Sequence, residues 1–230
     1  MNLGHITFKI FEKFPEIPFK NKIRYFLAFN KLVPKFIYDL LPIKGYEMYY
    51  NLKLGDTVID AGAFTGDYTV FAAKKVGNKG KVIAFEPDIK NRVILEKNIS
   101  KEKLKNVIII PKGLWDKNTV LFMDSLNVNS NVFDKEGSQP IEVVRLDDEL
   151  KKLNLSKIDF IKMDIEGAEI EAVRGSINTI KKFKPAFAIA SYHIIKNKTT
   201  SVFLEDFFSR IGYNVKSDFS KHLTTYAWKN

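Results

Sequence analysis

From residue 51 onward the sequence predicts an α/β domain built on a seven-stranded, mostly parallel sheet that ends in an antiparallel hairpin, with residues 1–50 as a separate helical appendage. Three observations carry this prediction. Short β-rich apolar runs alternate with amphipathic stretches, the texture of repeated βαβ units. Five of those runs are almost continuously apolar, as strands covered on both faces must be. The last two runs, YNVKSDF and HLTTYAWK, lie next to each other at the C-terminal end, where a hairpin completes the sheet.

Taken in order, residues 1–50 are rich in Phe, Tyr and Lys and are broken by Pro15, Pro18, Pro34 and Pro42, so they support only short helices joined by turns. The five parallel runs are TVIDAGA at 57–63, KVIAFEP at 81–87, NVIIIP at 106–111, DFIKMDIEG at 159–167 and PAFAIASYH at 185–193. Helices are expected over 67–76, 88–99, 146–153 and 168–180, with one more near 203–211 before the hairpin. Asp88 is placed to cap its helix and Gly77 to close the preceding one. TVLFMDS at 119–125 pairs plausibly with IEVVRLD at 141–147 as an antiparallel excursion, and the Asn, Ser and Gly residues between them read as an exposed loop.

Composition bounds the function. A chain of 230 residues with 45% hydrophobic and 28% charged residues can bury roughly 70–75% of its unfolded surface, enough for a core without staples. No stretch approaches the ~18 uncharged apolar residues that a membrane span needs. The absence of cysteine removes disulfides, thiolate metal sites and cysteine nucleophiles together. Lys9, Glu12 and Lys13 interrupt the apolar residues from Ile6 to Phe14, so no secretory signal forms and a cytoplasmic protein is expected. The net charge of +10 divides equally between residues 1–55 and 56–230, which makes the first quarter several-fold denser in excess charge. That density is compatible with an anionic partner, but no compact basic run appears, and a Lys-rich soluble surface accounts for it.

The most informative stretch is VIDAGAFTG, Val58 to Gly66, an apolar strand that ends in Asp60 and breaks into a turn at Gly62 and Gly66 before a helix. Glycines there let the backbone turn sharply and approach a ligand. About twenty residues on, Glu86 ends the next strand, where a carboxylate accepts hydrogen bonds from ribose hydroxyls. A dinucleotide would set its pyrophosphate against this turn, where Asp60 repels it. S-adenosylmethionine has no phosphate and carries a sulfonium and an ammonium, so the charge of Asp60 favours the methyl donor. The G-x-G-x-x-G fingerprint is also unmatched, with Ala63 where it has no glycine.

At this point a resemblance becomes specific. LGDTVIDAGA with Gly66, FEP at 85–87 and IKMDIEGAE at 161–169 together resemble the FkbM-type methyltransferases, over roughly Tyr46 to His193. The resemblance implies a seven-stranded Rossmann-like fold, S-adenosylmethionine as cofactor, and methyl transfer to hydroxyls of sugars, glycolipids or macrocyclic natural products. It implies donor-binding roles for Asp60, Gly62, Gly66 and Glu86, with Ala63 and Thr65 in the same turn. The family turn commonly reads G-A-N-x-G; here Phe64 stands in the Asn place, while Thr65 keeps a hydroxyl for the methionine carboxylate.

Methyl transfer from a sulfonium needs alignment, dryness and, for a hydroxyl acceptor, removal of a proton. Groups for that step should emerge from the carboxyl ends of the fourth and fifth strands. Asp164 and His193 are the two candidate bases, and the resemblance adds weight to His193. Glu166 and Glu169 stand close to Asp164 but also suit a helix N-terminus. This carboxylate group has no identified partner set for a metal, and none is expected. Two other readings stay open: an RNA or tRNA methyltransferase, for which no RNA-binding module or N-P-P-Y-type motif is found, and membrane docking through Ile6, Ile10 and Phe14 beside Lys9 and Lys13. Packing of that face on the domain as a lid is the preferred account. The acceptor, a small molecule, saccharide or lipid, and the oligomeric state are not fixed by the sequence.

Overall fold

A computed structural model describes residues 45–123, 139–195, 198–219 and 222–229. The apolar stripe at Ile6, Ile10 and Phe14 and most of the loop between 125 and 141 lie outside these residues.

The main sheet has seven strands in the order β11-β12-β8-β7-β1-β2-β3. These are β1 (Thr57–Ala61), β2 (Lys81–Phe85), β3 (Val107–Ile110), β7 (Phe160–Met163), β8 (Ala186–Ala190), β11 (Asn214–Phe219) and β12 (Leu223–Trp228). Strands β3, β2, β1, β7 and β8 are mutually parallel. β12 runs antiparallel to both β8 and β11. The C-terminal hairpin therefore joins the sheet with its second strand innermost. A smaller sheet carries β4 (Gly113–Leu114), β5 (Thr119–Met123) and β6 (Gln139–Val144), with β5 and β6 antiparallel as the sequence suggested. A two-stranded ladder pairs β9 (Ile194–Ile195) with β10 (Lys198–Thr199).

Both faces of the main sheet are covered, which is why its central strands show no polar alternation. One face packs Ile59, Ile83, Phe85, Ile161, Met163 and Phe187 against Leu146, Val173, Leu204 and Phe208. The other packs Val58, Val82, Phe160 and Ala188 against Ala72, Ala73 and Val76 of α1 (Asp67–Val76). Tyr46, Tyr49 and Tyr50 also pack on that second face. The last residues of the expected appendage are thus part of the domain surface.

Helix signals in the sequence act as expected at two places. The side chain of Asp88 accepts from the N–H groups of Lys90 and Asn91 at 2.7 and 2.9 Å, capping α2 (Ile89–Lys101). Gly77 ends α1 with a positive φ, and its N–H returns to Ala73. The single helix expected over 168–180 is instead two, α4 (Glu169–Arg174) and α5 (Ile177–Phe183). The break lies at Gly175, where an added Cβ would stand 2.1 Å from the Trp115 carbonyl oxygen. Asp147, on α3 (Leu146–Lys152), supplies the missing cap by accepting from Asn178 and Thr179 N–H at 3.0 and 2.7 Å. Helix α6 (Thr200–Arg210) leads into β11. Among the described residues no helix is long and apolar enough to cross a membrane.

Candidate active site

The carboxyl ends of β1, β2 and β7 converge on the turn 62–66. Gly62 and Ala63 donate their N–H groups to the Phe85 carbonyl at the end of β2, both at 3.0 Å. Gly62 has φ +76°, and a Cβ there would lie 1.9 Å from the Asp164 carbonyl oxygen; at Gly66 it would lie 2.5 Å from Leu95 Cδ1. Gly62 is therefore demanded by the protein's own backbone packing, while Gly66, at φ +93°, is demanded by the sharp turn the sequence suggested. Phe64 also adopts a left-handed backbone (φ 51°), which costs a non-glycine residue about 1–2 kcal/mol, and its ring is 61% exposed. The Thr65 carbonyl accepts from Asn98 Nδ2 at 2.8 Å, tying the turn to α2.

The Asp60 carboxylate is fully buried, with Lys162 Nζ 2.9 Å from Oδ1 and the Thr69 hydroxyl donating to Oδ2 at 2.5 Å. Oδ1 has no hydrogen-bond partner among the described residues. Lys162 Nζ also donates to the Gly62 carbonyl at 2.6 Å, so the Asp60–Lys162 ion pair is tied to the glycine turn.

Glu86 lies beside the turn, as expected. One of its oxygens accepts from Phe64 N–H at 2.8 Å and the other from Asp88 N–H at 3.0 Å and Asn91 Nδ2 at 3.3 Å. Burial raises its pKa, and these three hydrogen bonds oppose the rise. Three of roughly four acceptor positions on the carboxylate are thus in use, and the Asn91 contact is the longest.

Asp164 follows β7 and donates its N–H to Ala61 at 3.0 Å, and its backbone carbonyl lies against Gly62 of the glycine turn. Oδ2 accepts from the Tyr46 hydroxyl at 2.8 Å, while Oδ1 is buried with no hydrogen-bond partner. The Tyr46 hydroxyl also lies 3.1 Å from His222 Nε2. Burial, and then Asp164, hold the Tyr46 pKa far above the ordinary phenol value. Burial lowers that of His222, with Lys162 and His193 adding to the effect and Asp164 opposing it, which leaves a neutral imidazole.

His193 follows β8 and lies between two carboxylates. Nε2 is 3.4 Å from Glu166 and Nδ1 is 3.3 Å from Glu169, ion-pair separations at the long end of hydrogen bonding. Burial alone would lower its pKa, but the two carboxylates outweigh burial and carry it up to about 10. In this arrangement the two carboxylates favour the protonated ring. The Tyr192 ring lies tilted against that of His193 with centroids 4.1 Å apart and also approaches His222 at 5.0 Å. Among the described residues no group of His, Asp and Glu side chains is arranged to hold a metal ion.

The structure therefore gathers Asp164 and His193 at neighbouring strand ends, beside Gly62, Ala63, Thr65, Gly66 and Glu86. The sequence reading missed Tyr46, Lys162 and His222. Lys162 did carry a signal, because it is the parallel-register partner of Asp60 in the adjacent strand.

Comparison with known proteins agrees with this geometry. The model of the methyltransferase FkbM domain matches residues 60–215. The chain is 26% identical over 198 residues to methyltransferase sdnD of Sordaria araneosa, covering 70% of this chain and 75% of that protein. It is 29% identical over 147 residues to a probable cobalt-precorrin-6B C(15)-methyltransferase (decarboxylating) of Sulfurisphaera tokodaii, covering 64% and 71%. A crystal structure of methyltransferase FkbM from Methylobacillus flagellatus KT matches with a TM-score of 0.62 at 18% identity, over 94% of this chain and 57% of that one. This chain thus spans little more than half of that protein's length. The sheet order and a family match over residues 60–215 lead to one conclusion: the chain belongs to the FkbM family of S-adenosylmethionine-dependent methyltransferases.

Proposed function

We propose that the chain methylates a hydroxyl group on a small-molecule, saccharide or lipid acceptor, with His193 as the base. The observation that carries this reading is the pair of ionisable side chains, Asp164 and His193, at the carboxyl ends of adjacent parallel strands beside the glycine turn.

The residues present fit the methyl donor. The turn 62–66 and Glu86 form one side of the cradle, and a ribose hydroxyl would take the remaining lone pair of Glu86 or replace Asn91. The orphaned, buried Oδ1 of Asp164 is an acceptor that an ammonium group would satisfy. We therefore assign the donor's cationic end to Asp164, since Asp60 is committed to Lys162. When bound, the donor supplies a methyl group on sulfonium, already activated for in-line displacement. The protein's share is to align the acceptor, exclude water and take its proton.

Two measurements test this. Replacing Glu86 by alanine removes hydrogen bonds to a charged group worth ~1.5–3 kcal/mol, so calorimetry should show donor binding weakened by roughly ten- to a hundred-fold. NAD binding in place of the methyl donor would refute the cofactor site. His193→Ala should leave donor affinity nearly intact and slow turnover by ~10²-fold or more, because proton removal belongs to the chemical step. Turnover is read with isotope-labelled donor in cell extract, fractionated into RNA, protein, lipid and saccharide pools. Label confined to RNA would replace the proposed acceptor class with a nucleic acid.

A further inference from the structure

Glu169 is fully buried at the first position of α4 and, among the described residues, has no salt-bridge partner except His193. One of its oxygens accepts from the N–H groups of Ile165 and Gly167 at 3.1 and 3.2 Å, which fixes the carboxylate against its own loop. The other lies 3.3 Å from Nδ1 of His193, an ion-pair separation outside hydrogen-bond geometry, and each of these two buried atoms lacks a hydrogen-bond partner among the described residues. Glu166 differs in each respect. Its side chain is 44% exposed, its backbone is left-handed (φ 55°), and it meets the opposite ring nitrogen. The imidazole thus has one rigid, dry partner on Nδ1 and one exposed partner on Nε2. The Tyr192 ring lies tilted against it and also approaches His222, whose charge interacts with that of His193.

We propose that Glu169 is a positioning residue that fixes the ring orientation and Nδ1–H tautomer of His193, and that Glu166 guards Nε2 until an acceptor hydroxyl takes its place. This rests on the reading of His193 as the base. In the resting arrangement both ring nitrogens carry protons. As the acceptor enters, Glu166 swings outward and the Nε2 proton passes to solvent, leaving a neutral imidazole with its lone pair toward the acceptor. His193 then receives the acceptor's hydroxyl proton on Nε2. The oxygen's electron pair forms the bond to the methyl carbon, and the carbon–sulfur pair returns to sulfur, yielding a methyl ether and the neutral thioether. Glu169 stabilises the imidazolium so formed, as a buried carboxylate does behind a histidine base.

The deciding readout, the ring tautomer, needs no acceptor; turnover is read with the labelled donor in cell extract. In the full chain with 15N-labelled histidine, long-range 1H–15N spectra report which ring nitrogen carries the proton. Wild-type His193 is expected to be doubly protonated at neutral pH. In Glu166→Gln it should lose its charge at lower pH and, once neutral, keep the proton on Nδ1. In Glu169→Gln the amide oxygen should keep the two backbone N–H bonds, so the amide nitrogen donates to Nδ1 and moves the proton of the neutral ring to Nε2. That variant should also lose turnover by roughly 10²-fold or more, since the lone pair then points away from the acceptor. Binding of the demethylated donor verifies that each variant is folded. A neutral His193 with its proton on Nε2 in Glu166→Gln overturns the inference, even if Glu169→Gln does not fold. So does a proton retained on Nδ1 in Glu169→Gln. The base assignment fails by a different signal, undiminished turnover in His193→Ala.

Discussion

Replacing Lys162 by methionine is expected to destabilise the fold by about 3–5 kcal/mol, the cost of leaving one partner of a buried ion pair uncompensated. Both side chains are almost wholly withdrawn from solvent, at 5% exposure for Lys162 and 0% for Asp60. The substitution also removes the donor to the Gly62 carbonyl. In a domain of this size the loss corresponds to a fall in melting temperature of roughly 10 °C. Replacing Asp60 by leucine together with Lys162 by methionine should recover much of it, because a matched apolar pair leaves no buried charge. Chemical denaturation of the two variants decides the matter: a single substitution costing under about 1 kcal/mol would show that the pair contributes little.

Gly62→Ala should be comparably damaging, and should abolish donor binding as well. An added Cβ meets the Asp164 carbonyl oxygen at 1.9 Å and its carbon at 2.9 Å, both backbone atoms that no rotamer change can move aside. Overpacking of about 1–3 kcal/mol adds to about 1–2 kcal/mol for a left-handed alanine, and relief requires β1 and β7 to part where the site is built. Gly55→Ala serves as the comparison, since Gly55 has φ +87° but open space around its Cβ position. It should show the conformational cost alone, about 1–2 kcal/mol, with donor affinity preserved. Equal stability loss in the two variants would remove the steric argument.

Much of this site was legible before any coordinates. The glycine turn and Glu86 were marked by residues of unusual type at the ends of apolar strands, and strand ends are where open α/β sheets place their ligands. Lys162 was hidden because it sits within FIKM, a run that reads as buried strand, and burial argues against lysine until its partner is known. Asp60 and Lys162 occupy matching positions of neighbouring parallel strands, so the pair becomes visible only with the strand order. Nothing in the local sequence around His222 marks it as part of a site. Strand order places it there, because β12 pairs Thr224 with Ala190 and so brings His222 beside the end of β8. Tyr46 was assigned to the appendage, and its bond to Asp164 spans 118 residues, a distance that local pattern cannot bridge. The break at Gly175 was missed for a similar reason: a helix tolerates one glycine, and the Trp115 carbonyl that requires a residue without a Cβ there comes from elsewhere in the chain.

The placement of β12 has a consequence for the order of assembly. β12 docks on β8 as the inner strand of the C-terminal hairpin, so until the hairpin is in place β8 presents an open, apolar edge of the kind that invites pairing with another chain. The same step delivers His222 to Tyr46 across 176 residues of sequence. Closing that edge and completing the hydrogen-bonded group around Asp164 are therefore a single event, set by contacts of long sequence separation and correspondingly slow. A molecule still able to aggregate through β8 is one whose active site is not yet whole.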